Sequence, residues 1–160
     1  MANLPTKITL SLLSIIEIAR PLHWIKNLSL FAALIFTSNL FKPLLFDQIL
    51  LAFISFCFIT SATYIINDLF DAKLDKLHPT KKGRPIASGN LPIQIAVVET
   101  VFLVFLALLF ASSLQPIFSY IIWGYLILQI LYSLGLKNIP ILDILIIATG
   151  FILRVYAGAL

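Results

Sequence analysis

Three aspartates, Asp68, Asp71 and Asp75, follow a long apolar run at spacing i, i+3, i+7, with Asn67 just ahead of them. If the run is a helix that continues past its apolar part, this spacing projects all three carboxylates from one face. Acids are disfavoured at a helix C-terminus, the negative end of the macrodipole, and at this spacing they repel one another. Three of them in that place require a cation. Mg2+ suits the position, because it takes oxygen ligands and is usually held by one or two carboxylates together with substrate phosphates. Asp68, Asp71 and Asp75 are therefore the candidate metal ligands and catalytic residues, and Asn67 is a candidate to ligate or orient a carboxylate. The alternative is a solvated acidic turn paired locally with Lys73 and Lys76. The spacing of a calcium-binding EF-hand loop is absent.

Lys81, Lys82 and Arg84 come next. Arginine suits bidentate contact with phosphate, and lysine suits point-charge contact. Pro79, Gly83, Pro85 and Gly89 break any long helix and shape a loop, in which Arg84 is fixed between Gly83 and Pro85. Carboxylates for a metal followed by bases for phosphate oxygens make a complementary pair around one polyanion. The plainer reading of Lys81 and Lys82 is an ordinary basic loop at a membrane surface. Arg20, Trp24, Lys26 and Asn27 lie near the N-terminus. They either anchor a helix at the membrane interface or meet a lipid phosphate there.

These groups must be positioned by membrane-embedded helices. The chain is 61% hydrophobic and only 11% charged, with a mean hydropathy of +1.05, whereas a soluble domain carries about 25% charged residues. The reading is an all-α integral membrane protein forming a single transmembrane domain over residues 1–160. Five spans are predicted, at Leu22–Phe41, Ile49–Ile66, Ile93–Leu114, Ile117–Leu136 and Ile141–Leu160, each near the ~20 residues a bilayer core needs. The strand alternation of a barrel is absent. Ile8, Leu12, Ile15 and Ala19 share one helical face, with Ser11 and Ser14 off it, which reads either as an interfacial helix or as a loosely ordered N-terminus. No cleavable signal peptide is visible.

With five spans, nine of the eleven basic residues fall on one side: Lys7, Arg20, Lys26, Lys73, Lys76, Lys81, Lys82, Arg84 and Lys137. The positive-inside rule then puts the N-terminus and the 67–92 loop in the cytoplasm of a multi-pass protein of the plasma or inner membrane. The net charge of +4 thus reports topology and does not indicate nucleic-acid binding. One cysteine, Cys57, and two distant histidines, His23 and His78, exclude a zinc-type spacing. Glu99, Asp143 and Arg154 are ionisable groups within or at the edge of spans. Such groups usually face a polar cavity or a partner, and an Arg154–Glu99 pair is one option. Asp143, near the cytoplasmic edge, is a candidate to line the site.

Asn67-Asp68-x-x-Asp71-x-x-x-Asp75 followed by Arg84-Pro85-Ile86-Ala87-Ser88-Gly89 resembles the first signature of the UbiA-type membrane prenyltransferase superfamily. The likeness extends back to Arg20–Asn27, "RPLHWIKN", and forward to Leu142–Leu160. Within the superfamily, "HPTKKGRPIASG" and "RPLHWIKN" look most like decaprenyl-phosphate phosphoribosyltransferases. The resemblance implies Mg2+ and transfer of a 5-phosphoribosyl group from phosphoribosyl diphosphate to a polyprenyl phosphate, releasing pyrophosphate, in cell-envelope precursor synthesis. The 67–92 loop would then be the cytoplasmic active-site loop. Members resemble a nine-helix bundle with a second Asp-rich motif, so five spans correspond to its first half. The expectation is therefore a fragment, completed by a missing C-terminal half or a partner chain; a homo-oligomer stays open. Two rival readings are a prenyl diphosphate:aromatic acceptor prenyltransferase and a non-catalytic membrane assembly subunit.

Overall fold

The computed structural model describes residues 4–160, with side chains from residue 12 onward. The side chains of Lys7, Ile8 and Ser11 lie outside the described residues. Every regular element among the described residues is helical. Helix α1 spans Leu4–Ala19, a 3-10 segment Pro21–Phe31, α2 Ala32–Phe36 and α3 Pro43–Asp75. Then come two single turns, a 3-10 turn at Lys81–Gly83 and α4 at Pro85–Ser88. The chain closes with α5 Ile93–Ala111, α6 Pro116–Leu134 and α7 Pro140–Ala157. Proline opens α3, α4, α6 and α7 within the first two positions, where its missing N–H costs no hydrogen bond.

Among the described residues four helices are long and apolar enough to cross a membrane: α3, α5, α6 and α7. They match the second to fifth predicted spans. Helix α3 has 33 residues, about 50 Å of helix at ~1.5 Å per residue, against a hydrocarbon core of ~30 Å. Its last turns therefore project beyond the bilayer and carry Asn67 to Asp75 outward as helix. The stretch 67–75 of the expected loop is thus helical, and most of the remainder is folded into turns.

The first predicted span differs in kind. Leu22–Phe41 is not one α-helix: it is built from the 3-10 segment and the five-residue α2. Eleven residues at ~2.0 Å and five at ~1.5 Å reach about 30 Å, which is enough to cross the hydrocarbon core. Side chains three apart eclipse in a 3-10 helix, and burial follows that period. Asn27 and Leu30 are buried and Trp24 half-buried, while Leu22, Ile25 and Leu28 are exposed. His23, Lys26 and Ser29 form the third stripe.

The main core joins α3, α5 and α6 to the 3-10 segment and α7 through Leu30, Phe56, Ile59, Ala107, Phe118, Ile122 and Ala157, among others. The Phe56 ring meets Phe118 and Tyr125 edge-on, with centroids 5.8 and 5.6 Å away. A second cluster of Ile18, Ile65, Ile86, Leu91 and Ala96 lies at the Asp-bearing end of α3. Through it α1 packs on the bundle with Ser14, Ile15 and Ile18 inward, and Leu12, Leu13 and Ile16 remain exposed. Of the predicted stripe, Leu12 is exposed and Ile15 packs against this cluster, while Ile18, outside the stripe, is buried in it.

Candidate active site

Helix α3 turns about 100° per residue, so Asp75 lies about 20° from Asp68 around the axis and Asp71 about 60° off. The three carboxylates consequently split into two groups. Asp68 and Asp75 are only 2% and 3% exposed. Arg84 Nη1 donates to both, at 3.0 Å to Asp68 Oδ1 and 2.7 Å to Asp75 Oδ2. Arg20 Nη2 also donates to Asp68, at 2.6 and 2.8 Å to its two oxygens. The Arg20 guanidinium stands 5.0 Å over the Tyr64 ring. Asp71 faces elsewhere, accepting from Lys137 Nζ and, at 3.1 Å, from Asn67 Nδ2. Lys137 Nζ also donates to Asn67 Oδ1 at 3.0 Å.

The local sequence explains how Arg84 arrives. As the residue before proline it is extended, at φ −58° and ψ 145°. The turn Pro85–Ser88 buries Ala87 and places Ile86 in the second core cluster, and it ends at Gly89, φ 84°, a left-handed position that glycine adopts without strain. Leu91 N–H closes the loop on Pro85 C=O at 2.9 Å. The "RPIASGNL" stretch is thus an apolar plug that presses one guanidinium against the end of α3. Arg20 sits at the joint between α1 and the 3-10 segment in a left-handed conformation, φ 51° and ψ 56°. That conformation is unusual for a side chain with Cβ, and the contact with Asp68 holds it.

Local pairing of the aspartates with Lys73 and Lys76 is not what forms. Both lysines are exposed, and the carboxylates take cations from three separate places outside α3: Arg20, Arg84 and Lys137. Lys81, Lys82 and Lys26 are also exposed and stand apart from these ion pairs. Asn27 does not join the cluster either, because its amide is buried in the bundle against Arg154, Cys57 and Thr60. Asp143 accepts from Tyr132 OH at 2.9 Å, in the first turn of α7, where a carboxylate complements the helix dipole. Arg154 does not pair with Glu99: its bonds go to Asn27, Gly150 and Tyr125. Glu99 Oε2 is buried with no hydrogen-bond partner among the described residues.

Lys137 is the site residue that sequence reasoning counted only for topology. Its signal was available, since it is a cation in a tight turn on the same side as the acidic cluster.

The donor set fits a hard divalent cation in kind, with oxygen atoms from three carboxylates and one amide at the end of a single helix. Among the described residues no three Asp, Glu, His or Cys side chains converge on one point, and the three carboxylates stand in two adjacent acid–base groups. The reason is electrostatic. Carboxylates at a negative helix end are neutralised by whichever cations the fold supplies, and here Arg20, Arg84 and Lys137 supply them.

The UbiA prenyltransferase family model matches residues 27–160. The decaprenyl-phosphate phosphoribosyltransferase of Corynebacterium glutamicum is 37% identical over 147 residues, 89% of this chain and 44% of that protein. The enzyme of that name from Mycolicibacterium smegmatis is 34% identical over 90% of this chain and 46% of its own length. The chain therefore spans about half the length of the curated relatives it matches. A solved UbiA homolog from Archaeoglobus fulgidus, bound to DMAPP and Mg2+, superposes with a TM-score of 0.78 at 24% identity, covering 91% of this chain and 53% of that one. Fold, signature residues and a family match along most of the sequence agree: the chain belongs to the UbiA prenyltransferase family.

Proposed function

We propose that the full protein to which this chain belongs is a Mg2+-dependent membrane transferase. It moves a 5-phosphoribosyl group from phosphoribosyl diphosphate to a polyprenyl phosphate in cell-envelope precursor synthesis. The observation that carries the reading is the balanced cluster at the outer end of α3, where Asp68, Asp71 and Asp75 meet Arg20, Arg84 and Lys137. Three negative and three positive groups leave no net charge to attract a bare divalent ion. Were Mg2+ bound together with a diphosphate, the carboxylates would hold the metal and the cations would hold the phosphate oxygens. The cluster is thus built to accept the two together.

In this reading Asp68, Asp71 and Asp75 would hold Mg2+, directly or through water, with Asn67 orienting Asp71, and the ion would supply positive charge to offset the negative charge growing on the departing pyrophosphate. Arg20, Arg84 and Lys137 bind the diphosphate oxygens, with Lys81 and Lys82 near the loop mouth. Lys26, exposed on the 3-10 segment, faces the acceptor's lipid phosphate. That phosphate is ionised at neutral pH, so its oxygen attacks ribose C1 without a strong general base, and the C1–O bond to pyrophosphate breaks with its electron pair leaving on the pyrophosphate. Tyr132 and its acceptor Asp143 stand on α6 and α7, either side of the turn that carries Lys137. The N-terminus and the 67–92 segment face the cytoplasm, where the water-soluble donor is found, and nine of eleven basic residues gather there.

A second reading keeps the same diphosphate grip for a prenyl diphosphate and an aromatic acceptor. It is favoured by the Archaeoglobus homolog's DMAPP. The decisive experiment offers the full-length protein phosphoribosyl diphosphate with polyprenyl phosphate, and separately a prenyl diphosphate with hydroxybenzoate. Product only from the second pair overturns the first reading. A non-catalytic role predicts that Asp71→Asn leaves Mg2+-dependent diphosphate binding unchanged, and loss of that binding rejects it.

A further inference from the structure

We propose that Arg154 is a positioning residue: through Asn27 it fixes where the 3-10 segment lies between α3 and α7, and thereby where Arg20 meets Asp68. Arg154 is buried inside a membrane-spanning helix, and every group it bonds is neutral. Its Nε donates to Asn27 Oδ1 at 2.7 Å, Nη1 to Gly150 C=O at 2.8 Å and Nη2 to Tyr125 OH at 2.8 Å. The rings of Tyr125 and Phe151 lie 5.1 and 5.6 Å from the guanidinium carbon. A buried cation in a bilayer is costly, and such residues are retained for function.

Its neighbour one turn along α7 gives the geometry. A Cβ on Gly158 would lie 1.9 Å from Leu30 C=O, so α7 touches the backbone of the 3-10 segment there. Arg154 and Gly158 are four residues apart on an α-helix, about 6 Å. Asn27 and Leu30 are three apart on a 3-10 helix, also about 6 Å. The two elements therefore mesh at two consecutive points only while the segment keeps its 3-10 rise. The opposite side of the segment is set against α3. Asn27 Nδ2 reaches Cys57 Sγ at 3.5 Å, Trp24 Nε1 donates to Ser61 Oγ at 2.9 Å, and Arg20 holds Asp68 at the outer end. Relaxation of eleven residues towards α-helical rise would shorten the segment by about 5 Å, more than the reach of the Arg20–Asp68 contact.

The functional part of this inference rests on the reading of Arg20 as a diphosphate ligand, so the test carries one readout independent of activity. Cys57, the sole cysteine in these 160 residues, is buried against Asn27. Its alkylation by N-ethylmaleimide in the full-length membrane-embedded protein, followed by peptide mass mapping, reports whether the segment has moved. Arg154→Gln is expected to raise that rate about tenfold and to raise the donor KM about tenfold with a smaller change in kcat. Arg20→Gln is expected to raise the KM similarly while leaving Cys57 protected. The double variant should be no worse in KM than Arg20→Gln alone, because both changes act on one contact. Arg154→Lys, which keeps a donor for Asn27, should restore protection of Cys57. Protected Cys57 in Arg154→Gln, or KM effects that multiply, overturns the proposal. If Arg20→Gln leaves the KM unchanged, the diphosphate reading of Arg20 fails, and Cys57 alone decides the positioning role. Should Arg154→Gln not accumulate, Asn27→Leu takes its place: faster Cys57 alkylation with a raised KM supports the proposal, and a protected Cys57 overturns it.

Discussion

Asp68 and Asp75, two helical turns apart on α3, are bound to a single nitrogen: Arg84 Nη1 lies 3.0 Å from the first and 2.7 Å from the second. Arg84→Gln leaves two nearly inaccessible carboxylates facing each other with only Arg20 as counter-ion. Because Arg84 itself is 24% exposed, water recovers part of the loss, and destabilisation of about 1–3 kcal/mol is expected. Millimolar Mg2+ should restore part of the lost melting temperature in detergent, since the freed carboxylates then bind it. No restoration would count against these carboxylates as metal ligands.

Lys137 joins α3 to the turn before α7 through Asn67 and Asp71. Lys137→Met is expected to lower kcat/KM by about 100-fold or more, the scale on which single charge-stabilising donors act, while the bundle still folds around its apolar core. Steady-state kinetics beside a thermal melt checks both halves of that statement.

Mg2+ and pyrophosphate should each tighten the binding of the other by the same factor. The charge-balanced cluster predicts weak binding of either alone and a coupling of about 1–3 kcal/mol. Calorimetric titration of pyrophosphate with and without Mg2+, then of Mg2+ with and without pyrophosphate, measures it. Tight Mg2+ binding without pyrophosphate would contradict the proposed exchange of partners.

Two glycines should respond in opposite directions. Gly158→Ala drives a methyl group into Leu30 C=O and is expected to cost at least the ~1–3 kcal/mol of an overpacked core. Gly124, exposed within α6 with nothing within 4 Å of an added Cβ, should gain about 0.5–1 kcal/mol as alanine. Denaturation of the two variants under the same conditions reads both signs.

The acidic cluster and Arg84 could be read from the sequence because their relation is local. Helical pitch groups the aspartates, and Gly83 and Pro85 bracket the arginine. Four of the spans were readable because hydropathy measures length directly. Pitch was not readable that way: the segment Pro21–Phe31 looks like part of an ordinary span until Leu22, Ile25 and Leu28 are set against Trp24, Asn27 and Leu30. The ion pairs from Arg20 and Lys137 reach across 48 and 66 residues. Without the packing of the helices, nothing ties those cations to particular acids. The partner of Arg154 escaped for the same reason, since its contact with Asn27 spans 127 residues of sequence.

A segment with a whole number of residues per turn tolerates changes in length differently from its neighbours. Adding or removing three residues between Pro21 and Phe31 returns each side chain to its own stripe, whereas one or two rotate the exposed Leu22, Ile25 and Leu28 inward by a third of a turn or more. In the α-helices beside it no such small step restores the facing. Length variation among homologues in membranes of different thickness is therefore expected here in threes, with the anchor points at Asn27 and Leu30 left undivided.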